Sequence, residues 1–385
     1  AAADVRKLLD MAVRRRLTAD VPLGAFLSGG IDSSAIVAIM STLSSEAVKT
    51  FTIGFDDEDG YDERRYARQV ARRFGTDHVE FVVKPRAVDL VDELVWHYDQ
   101  PFGDSSAVPT YLLAELTRGH VTVALCGDGG DELFAGYERF TAALLLDRYR
   151  LVPAVVRRQV ARSLGAVPSR AFQGRGARVR RFVSQSALSV PEAYLEWVAM
   201  MDEDWRWAMA PEGSTWAIHD YQRIWEASEG ADLLDRLLEL NLRTYLLDDL
   251  LPKVDRMSMA HGLEVRSPFL DRELVELALH LPRRARVRGL SRKRALKAAV
   301  QDLLPAPILH RRKRGFGVPI DRWFRGELRS FVDATLGAPE ARVRSHVNAE
   351  ALERLWHEHR HGGADHGKPL WTLLTLEAFL RKEGW

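Results

Sequence analysis

The chain has 385 residues, 46% of them hydrophobic and 28% charged, and its 55 Lys and Arg against 54 Asp and Glu leave a formal net charge of +1. That balance excludes extensive disorder, and the single cysteine, Cys126, excludes an internal disulfide framework. No apolar run approaches the roughly 20 residues that span a bilayer, and the first residues lack the apolar segment of a secretory leader, so a cytoplasmic location is the default expectation.

In chain order, the first 140 residues alternate between strand and helix signals. Residues 22–27 are short and apolar and run into Ser28-Gly29-Gly30, after which 32–43 read as a helix of small and apolar residues. Residues 48–55 read as a strand, 61–74 as a helix, 78–83 as a third strand, 89–98 and 111–118 as helices, and 121–125 as a fourth strand. Such alternation predicts an α/β fold whose parallel sheet is covered by helices on both faces. Beyond about residue 140 strand signals vanish, and helical periodicity dominates 141–163, 192–210, 231–250, 271–280, 291–304 and 349–382. Residues 168–181 are the most linker-like stretch.

The strongest chemical signal is Leu27-Ser28-Gly29-Gly30-Ile31-Asp32-Ser33-Ser34, between a predicted strand and a predicted helix. Glycines let backbone approach an anion, and a helix N-terminus aims free N–H groups at it. Asp32 would repel phosphate unless Mg²⁺ lies between them. The bland alternative is a Gly-rich strand–helix turn. The run resembles the pyrophosphate loop of the N-type ATP pyrophosphatases, a superfamily that cleaves ATP between the α and β phosphates. A second segment, Ala124-Leu125-Cys126-Gly127-Asp128-Gly129-Gly130-Asp131-Glu132-Leu133-Phe134-Ala135-Gly136-Tyr137, also follows a strand and resembles the acidic loop of asparagine synthetases. It should reach the same carboxyl edge of the sheet, where ligands of open α/β folds bind. The alternative is an acidic turn in which Asp131 caps a helix. A third segment, from Lys253-Val254-Asp255-Arg256 to Glu264-Val265-Arg266-Ser267-Pro268-Phe269-Leu270-Asp271, is similar to another block of that family, and by itself reads as a helix, a break at Gly262 and a second helix entered at Pro268. A fourth, Arg311-Arg312-Lys313-Arg314-Gly315-Phe316-Gly317-Val318-Pro319, resembles the family loop whose lysine approaches the ATP phosphates.

Other patterns point elsewhere or nowhere. Residues 283–314 hold twelve Lys and Arg and one acid, Asp302, a composition that can grip nucleic acid. The near-neutral chain and the scarcity of interleaved aromatics favour a solvated face plus one phosphate-facing loop, so nucleic acid is not an expected partner. Residues 362–368 have the spacing of a P-loop, but Pro369 replaces its Ser/Thr and no strand precedes it. His357, His359, His361 and His366 read as a polar surface turn rather than a zinc site.

The resemblance covers residues 4–379 and implies one domain spanning 1–385, the synthetase domain of glutamine-dependent asparagine synthetases, with an ATP-pyrophosphatase core over 1–140 and a helical part over 141–385 completing the site. It implies ATP and Mg²⁺ as cofactors, with phosphates on Ser28, Gly29, Gly30, Asp32, Ser33 and Ser34, and the metal on Asp32 and Asp131. The adenine is implied against Phe26, Leu27, Ile53, Cys126 and Gly127. The resemblance implies catalytic roles for Asp128, Lys313 and Glu264: Asp128 to help form the adenylate and take a proton from ammonia, Lys313 to stabilise phosphate charge, and Glu264 to belong to the same wall. The implied partners are aspartate, and ammonia released from glutamine by an N-terminal glutaminase domain. That domain opens with a catalytic cysteine, whereas this chain begins at Ala1. Removal of the domain is the favoured expectation, because residues 3–17 resemble the helix joining the two domains, and a homodimer is expected of the full-length protein. Amide-forming relatives acting on another carboxylate, in sugar, polysaccharide or secondary-metabolite pathways, and a non-catalytic nucleotide-binding homologue, stand as alternatives.

Overall fold

A computed structural model describes residues 1–55, 63–83, 87–165, 175–213, 216–228, 230–311 and 317–385. Its strands are β1 (Leu23–Phe26), β2 (Lys49–Phe55), β3 (Asp77–Val83), β4 (Val123–Leu125) and β5 (Glu264–Arg266). They form one parallel sheet in the order β3-β2-β1-β4-β5. The interior strand β2 is buried at six of its seven positions, so Thr50, Thr52 and Gly54 on one face are covered as well as Phe51, Ile53 and Phe55 on the other. β1 lies between β2 and β4, with Gly24 paired to Lys49 on one side and Ala124 on the other.

The helices of the first half are α1 (Ala2–Arg16), α2 (Ile31–Leu43), α3 (Arg64–Phe74), α4 (Ala87–Tyr98), α5 (Ala107–Arg118), α6 (Gly130–Leu133) and α7 (Glu138–Tyr149). One core forms around α1, α2 and α3, with Leu9, Ile36 and Val70 fully buried; another packs β2 and α5 against the C-terminal helices through Phe51, Val108 and Trp371. α1 buries Val5, Leu9, Ala12 and Val13, a single apolar stripe at helical spacing. Its basic last turn anchors on Asp271, with Arg15 at 3.1 Å and Arg16 at 2.8 Å. Among the described residues no helix is long and apolar enough to cross a membrane.

Two features differ from the sequence reading. Strand signals do not end at residue 140, because β5 supplies the fifth strand, its Glu264 pairing with Val123 and its Arg266 with Leu125. Only three residues long and partly exposed, β5 carries no alternation to detect. The chain after Pro268 makes a short 3₁₀ turn, Pro268–Leu270, before the helix Arg272–Leu279. Of the linker-like stretch, 168–174 lie outside the described residues, and 175–181 belong to helix Arg175–Ser184.

Candidate active site

The carboxyl ends of β1, β2 and β4 open into a cavity of about 610 Å³. The turn after β1 is drawn tight by its own hydroxyls: Ser28 Oγ and Ser33 Oγ are 3.0 Å apart, and Gly30 N–H donates to Ser28 Oγ at 3.3 Å. Gly29 has φ 68°, and a Cβ there would fall 2.5 Å from Tyr66 and 2.6 Å from Ala67 N, so only glycine fits the crossing of this loop over α3. The turn after β4 approaches equally closely, since a Cβ on Gly130 would meet Asp32 Oδ1 at 2.4 Å. Gly29 thus lets the first loop cross α3, and Gly130 lets the second loop close on the first.

At that junction Lys293 Nζ lies 2.7 Å from Asp32 Oδ1, 2.6 Å from Asp32 Oδ2 and 2.6 Å from Asp131 Oδ1. Lys293 and Asp131 are nearly fully buried. Two carboxylates that can hold one cation between them form a hard oxygen set suited to Mg²⁺, the rest of its shell coming from phosphate and water. The residues present therefore fit that ion. Lys293 has φ 53°, an uncommon backbone for a lysine, at the entry to helix Arg294–Val300.

Phe26, Leu27, Ile53, Cys126 and Gly127 line the apolar side of the cavity, and Asp128 lines it beside them. Burial first, then the charge of Asp128, pushes the Cys126 thiol well above its ordinary pKa, so it stays protonated. Glu132 is also buried and its pKa raised by that burial, although the Tyr137 hydroxyl donates to it.

The opposite wall carries a second charged group. A π-helical stretch, Leu242–Leu250, continues into helix Leu251–Met259 and aligns Tyr245, Asp249 and Lys253. Lys253 Nζ donates to Asp104 Oδ2 at 2.6 Å and lies 3.5 Å from Asp249. Ser106 donates to both oxygens of Asp104, through N–H at 2.9 Å and Oγ at 2.6 Å. Burial works against the Asp104 charge, but Lys253 and Ser106 outweigh it and hold that carboxyl at about 2. Asp249 is pushed up to about 7, by burial foremost, with Lys253 opposing and Asp104 adding to the rise.

Several sequence expectations are corrected. Glu264 is not a cavity residue: it begins β5 at the amino end of the sheet, is more than half exposed, and pairs with Arg266 at 2.6 Å. Ser34 is fully buried on α2, and Gly29 packs on α3; neither lines the cavity, whereas Ser28, Gly30, Asp32 and Ser33 do. Lys313 lies outside the described residues. The histidine group is a surface turn only in part: His357 and His361 are exposed, whereas His359 is fully buried and His366 nearly so. The basic segment is not mainly a solvated face either, since Arg292, Lys293, Lys297 and Arg311 all line the cavity. Arg311 donates to Ser28 O at 3.2 Å and stacks 4.0 Å from the centre of the Tyr66 ring.

A profile described as asparagine synthase matches residues 4–381. The chain belongs to the asparagine synthase family. It is 35% identical over 378 residues to a Mycobacterium tuberculosis protein named "Putative asparagine synthetase (glutamine-hydrolyzing)", covering 97% of this chain and 56% of that one. A Bacillus subtilis protein named asparagine synthetase (glutamine-hydrolyzing) 1 is 28% identical over 377 residues, 97% of this chain and 58% of its own length. The Penicillium rubens protein named amidase chyE is 27% identical over 368 residues, 84% of this chain and 53% of its own. The chain thus spans about half the length of the curated relatives it matches. For this asparagine synthase family member, sequence reasoning missed Lys293, Arg139 and Asp249. The sole hint of Lys293 was its place in the basic segment, where eleven other cations obscured it.

Proposed function

We propose that the chain is an ATP-dependent, amide-forming ligase domain that activates the side-chain carboxylate of aspartate and transfers ammonia to it. The observation that carries this reading is the convergence of the two Gly-rich loops on one point, with Asp32 and Asp131 sharing the Lys293 ammonium at the mouth of β1 and β4. ATP would lay its β and γ phosphates on Ser28, Gly30 and Ser33 and its adenine against Phe26, Leu27, Ile53, Cys126 and Gly127. Asp32 and Asp131 would hold Mg²⁺, which supplies charge neutralisation for departing pyrophosphate. A carboxylate oxygen of aspartate attacks the α-phosphorus as the bond to pyrophosphate breaks, giving β-aspartyl-AMP. Ammonia then attacks the acyl carbon, loses a proton, and AMP leaves as asparagine forms. Asp128 is assigned the acceptance of that proton and Lys313 the stabilisation of phosphate charge. Ammonia is assigned to glutamine hydrolysis in a glutaminase domain, a reading supported by relatives whose names include glutamine-hydrolyzing. A cytoplasmic enzyme, homodimeric at full length, completes the proposal, with residues 1–140 as its nucleotide core and 141–385 completing the site. The amidase-named relative favours a second reading, a ligase of the same chemistry acting on another carboxylate.

ATP–pyrophosphate exchange with Mg²⁺, with and without L-aspartate and before any ammonia, tests the proposal. Aspartate-dependent exchange followed by asparagine formation on adding ammonium is expected. Exchange with a different carboxylic acid and none with aspartate would favour the second reading, and exchange with no acid would overturn both.

A further inference from the structure

Arg139 enters the cavity wall from the first turn of α7. Its guanidinium packs in the corner of two aromatic rings set at right angles, 3.8 Å from the centre of the Tyr137 ring and 4.4 Å from that of Tyr245. In its own plane, Nε donates to the Tyr194 hydroxyl at 3.1 Å and Nη2 to Asn241 Oδ1 at 2.7 Å. The Tyr194 hydroxyl donates to the same Asn241 oxygen at 2.6 Å, so this side of the fork is rigidly held.

Both in-plane acceptors are neutral. Among the described residues Arg139 pairs with no carboxylate, and its Nη1 makes no hydrogen bond within the protein. A guanidinium has five N–H donors, and here two are used. A largely buried cation without a counterion is costly, and its place at a helix N-terminus adds to the cost, because the helix dipole there favours anions. The two ring contacts offset part of this, and the bonds to Tyr194 and Asn241 orient the fork. A planar cation oriented by two bonds, with its Nη1 donors unused, is suited to a carboxylate.

The position of that edge distinguishes two anions. Lys293 and Arg311 already serve the phosphate loop, through Asp32 and Ser28. Arg139 instead shares Tyr245 with the wall of Asp104 and Lys253, and Trp197 lines the same cavity. We propose that Arg139 is the specificity-determining residue of the acceptor subsite, pairing through its free Nη1 edge with a carboxylate other than the one that is activated. The acceptor then carries two carboxylates. That second statement rests on the ligase reading, while the carboxylate site itself does not.

The test is equilibrium binding by calorimetry, separate from any turnover. Pairs of compounds differing by a single carboxylate are titrated into the protein: aspartate against β-alanine, glutamate against 4-aminobutyrate, succinate against propionate. At least one pair should be discriminated by about tenfold or more in favour of the dicarboxylate, the scale of one charge-assisted hydrogen bond. Arg139→Gln should abolish that preference, Arg139→Lys should keep part of it, and Mg-ATP affinity should stay within about twofold in both, which also shows that they fold. Equal binding within every pair, or a preference that survives Arg139→Gln, overturns the proposal. Loss of Mg-ATP affinity in Arg139→Gln with the preference intact assigns Arg139 to phosphate and overturns it too. If the preference holds while no acid supports pyrophosphate exchange, the ligase reading fails and the carboxylate site stands.

Discussion

Gly136 shows how little room the Asp131–Lys293 end of the cavity has at the scale of single residues. A Cβ there would lie 1.8 Å from Asp131 Oδ1 and 2.1 Å from Lys293 Cε. Gly136→Ala is expected to push apart the carboxylate–ammonium group and to lower pyrophosphate exchange by about tenfold to a hundredfold, the equivalent of an overpacking strain of about 1–3 kcal/mol, with unchanged far-UV circular dichroism. Asp32→Asn should abolish exchange with the fold intact, and normal exchange in that variant would remove Asp32 from the site. Asp249 supplies a pH signature. Its folded pKa of about 7 lies above the ordinary value near 4, so between those limits the folded state keeps a proton that the unfolded state has lost. The stability this contributes is present below pH about 4 and lost as pH rises through 7. Thermal midpoints at pH 5 and pH 8 should therefore fall more in the wild type than in Asp249→Asn. The first and second loops were legible in sequence because Gly and Asp at a strand–helix turn have few other uses. Lys293 was not, because nothing local separates a lysine that turns inward from the cations around it.

Among elements, the helix Val190–Val198 brings Trp197 and Val198 to the cavity and starts at a capping box. Ser189 Oγ accepts from Glu192 N–H at 3.4 Å, while Ser189 N–H donates to Glu192 Oε2 at 2.6 Å. Ser189→Ala should reduce stability to urea by about 1 kcal/mol, and Ser189→Thr should restore most of it. Retention of full stability by the alanine variant would show that the cap is redundant. The π-helical stretch Leu242–Leu250 and the strand β5 mark the limit of pattern reading. A π turn keeps helical periodicity over short windows, so 231–250 reads as helix while its width stays hidden. β5 is a strand only because the edge of β4 waits for it, with Cys126 N–H donating to Arg266 O at 2.9 Å just beyond the paired residues.

For the molecule as a whole, the C-terminal helices close one side of the cavity through a buried histidine. His359 accepts from His366 N–H through Nδ1 at 2.9 Å, which makes Nε2 the protonated nitrogen that donates to Asp321 O at 3.1 Å. Asp321 in turn accepts from Gly367 N–H at 2.8 Å and lines the cavity. Burial, then Arg325, lowers the His359 pKa to about 4. A histidine depressed below its ordinary value of about 6.5 contributes stability above that value and loses it as pH falls toward 4. Thermal midpoints should therefore drop between pH 7 and pH 5 in the wild type, and His359→Gln should flatten the drop. An equal drop in both would place the acid sensitivity elsewhere.

The sequence by itself determined the fold class, the strand-to-helix order of the first half and the two loops at the carboxyl edge. Those depend on local physics: periodic burial, glycine where chains cross, and carboxylates at helix starts. Tertiary structure alone decided that Glu264 stands at the wrong end of the sheet, that Lys293 links Asp32 to Asp131, and that Arg139 and Lys253 face the same cavity. Each of those facts joins residues far apart in the chain, the Asp32–Lys293 contact across 261 positions. Such pairings follow from how helices pack on the sheet, and no local pattern of residue types encodes them.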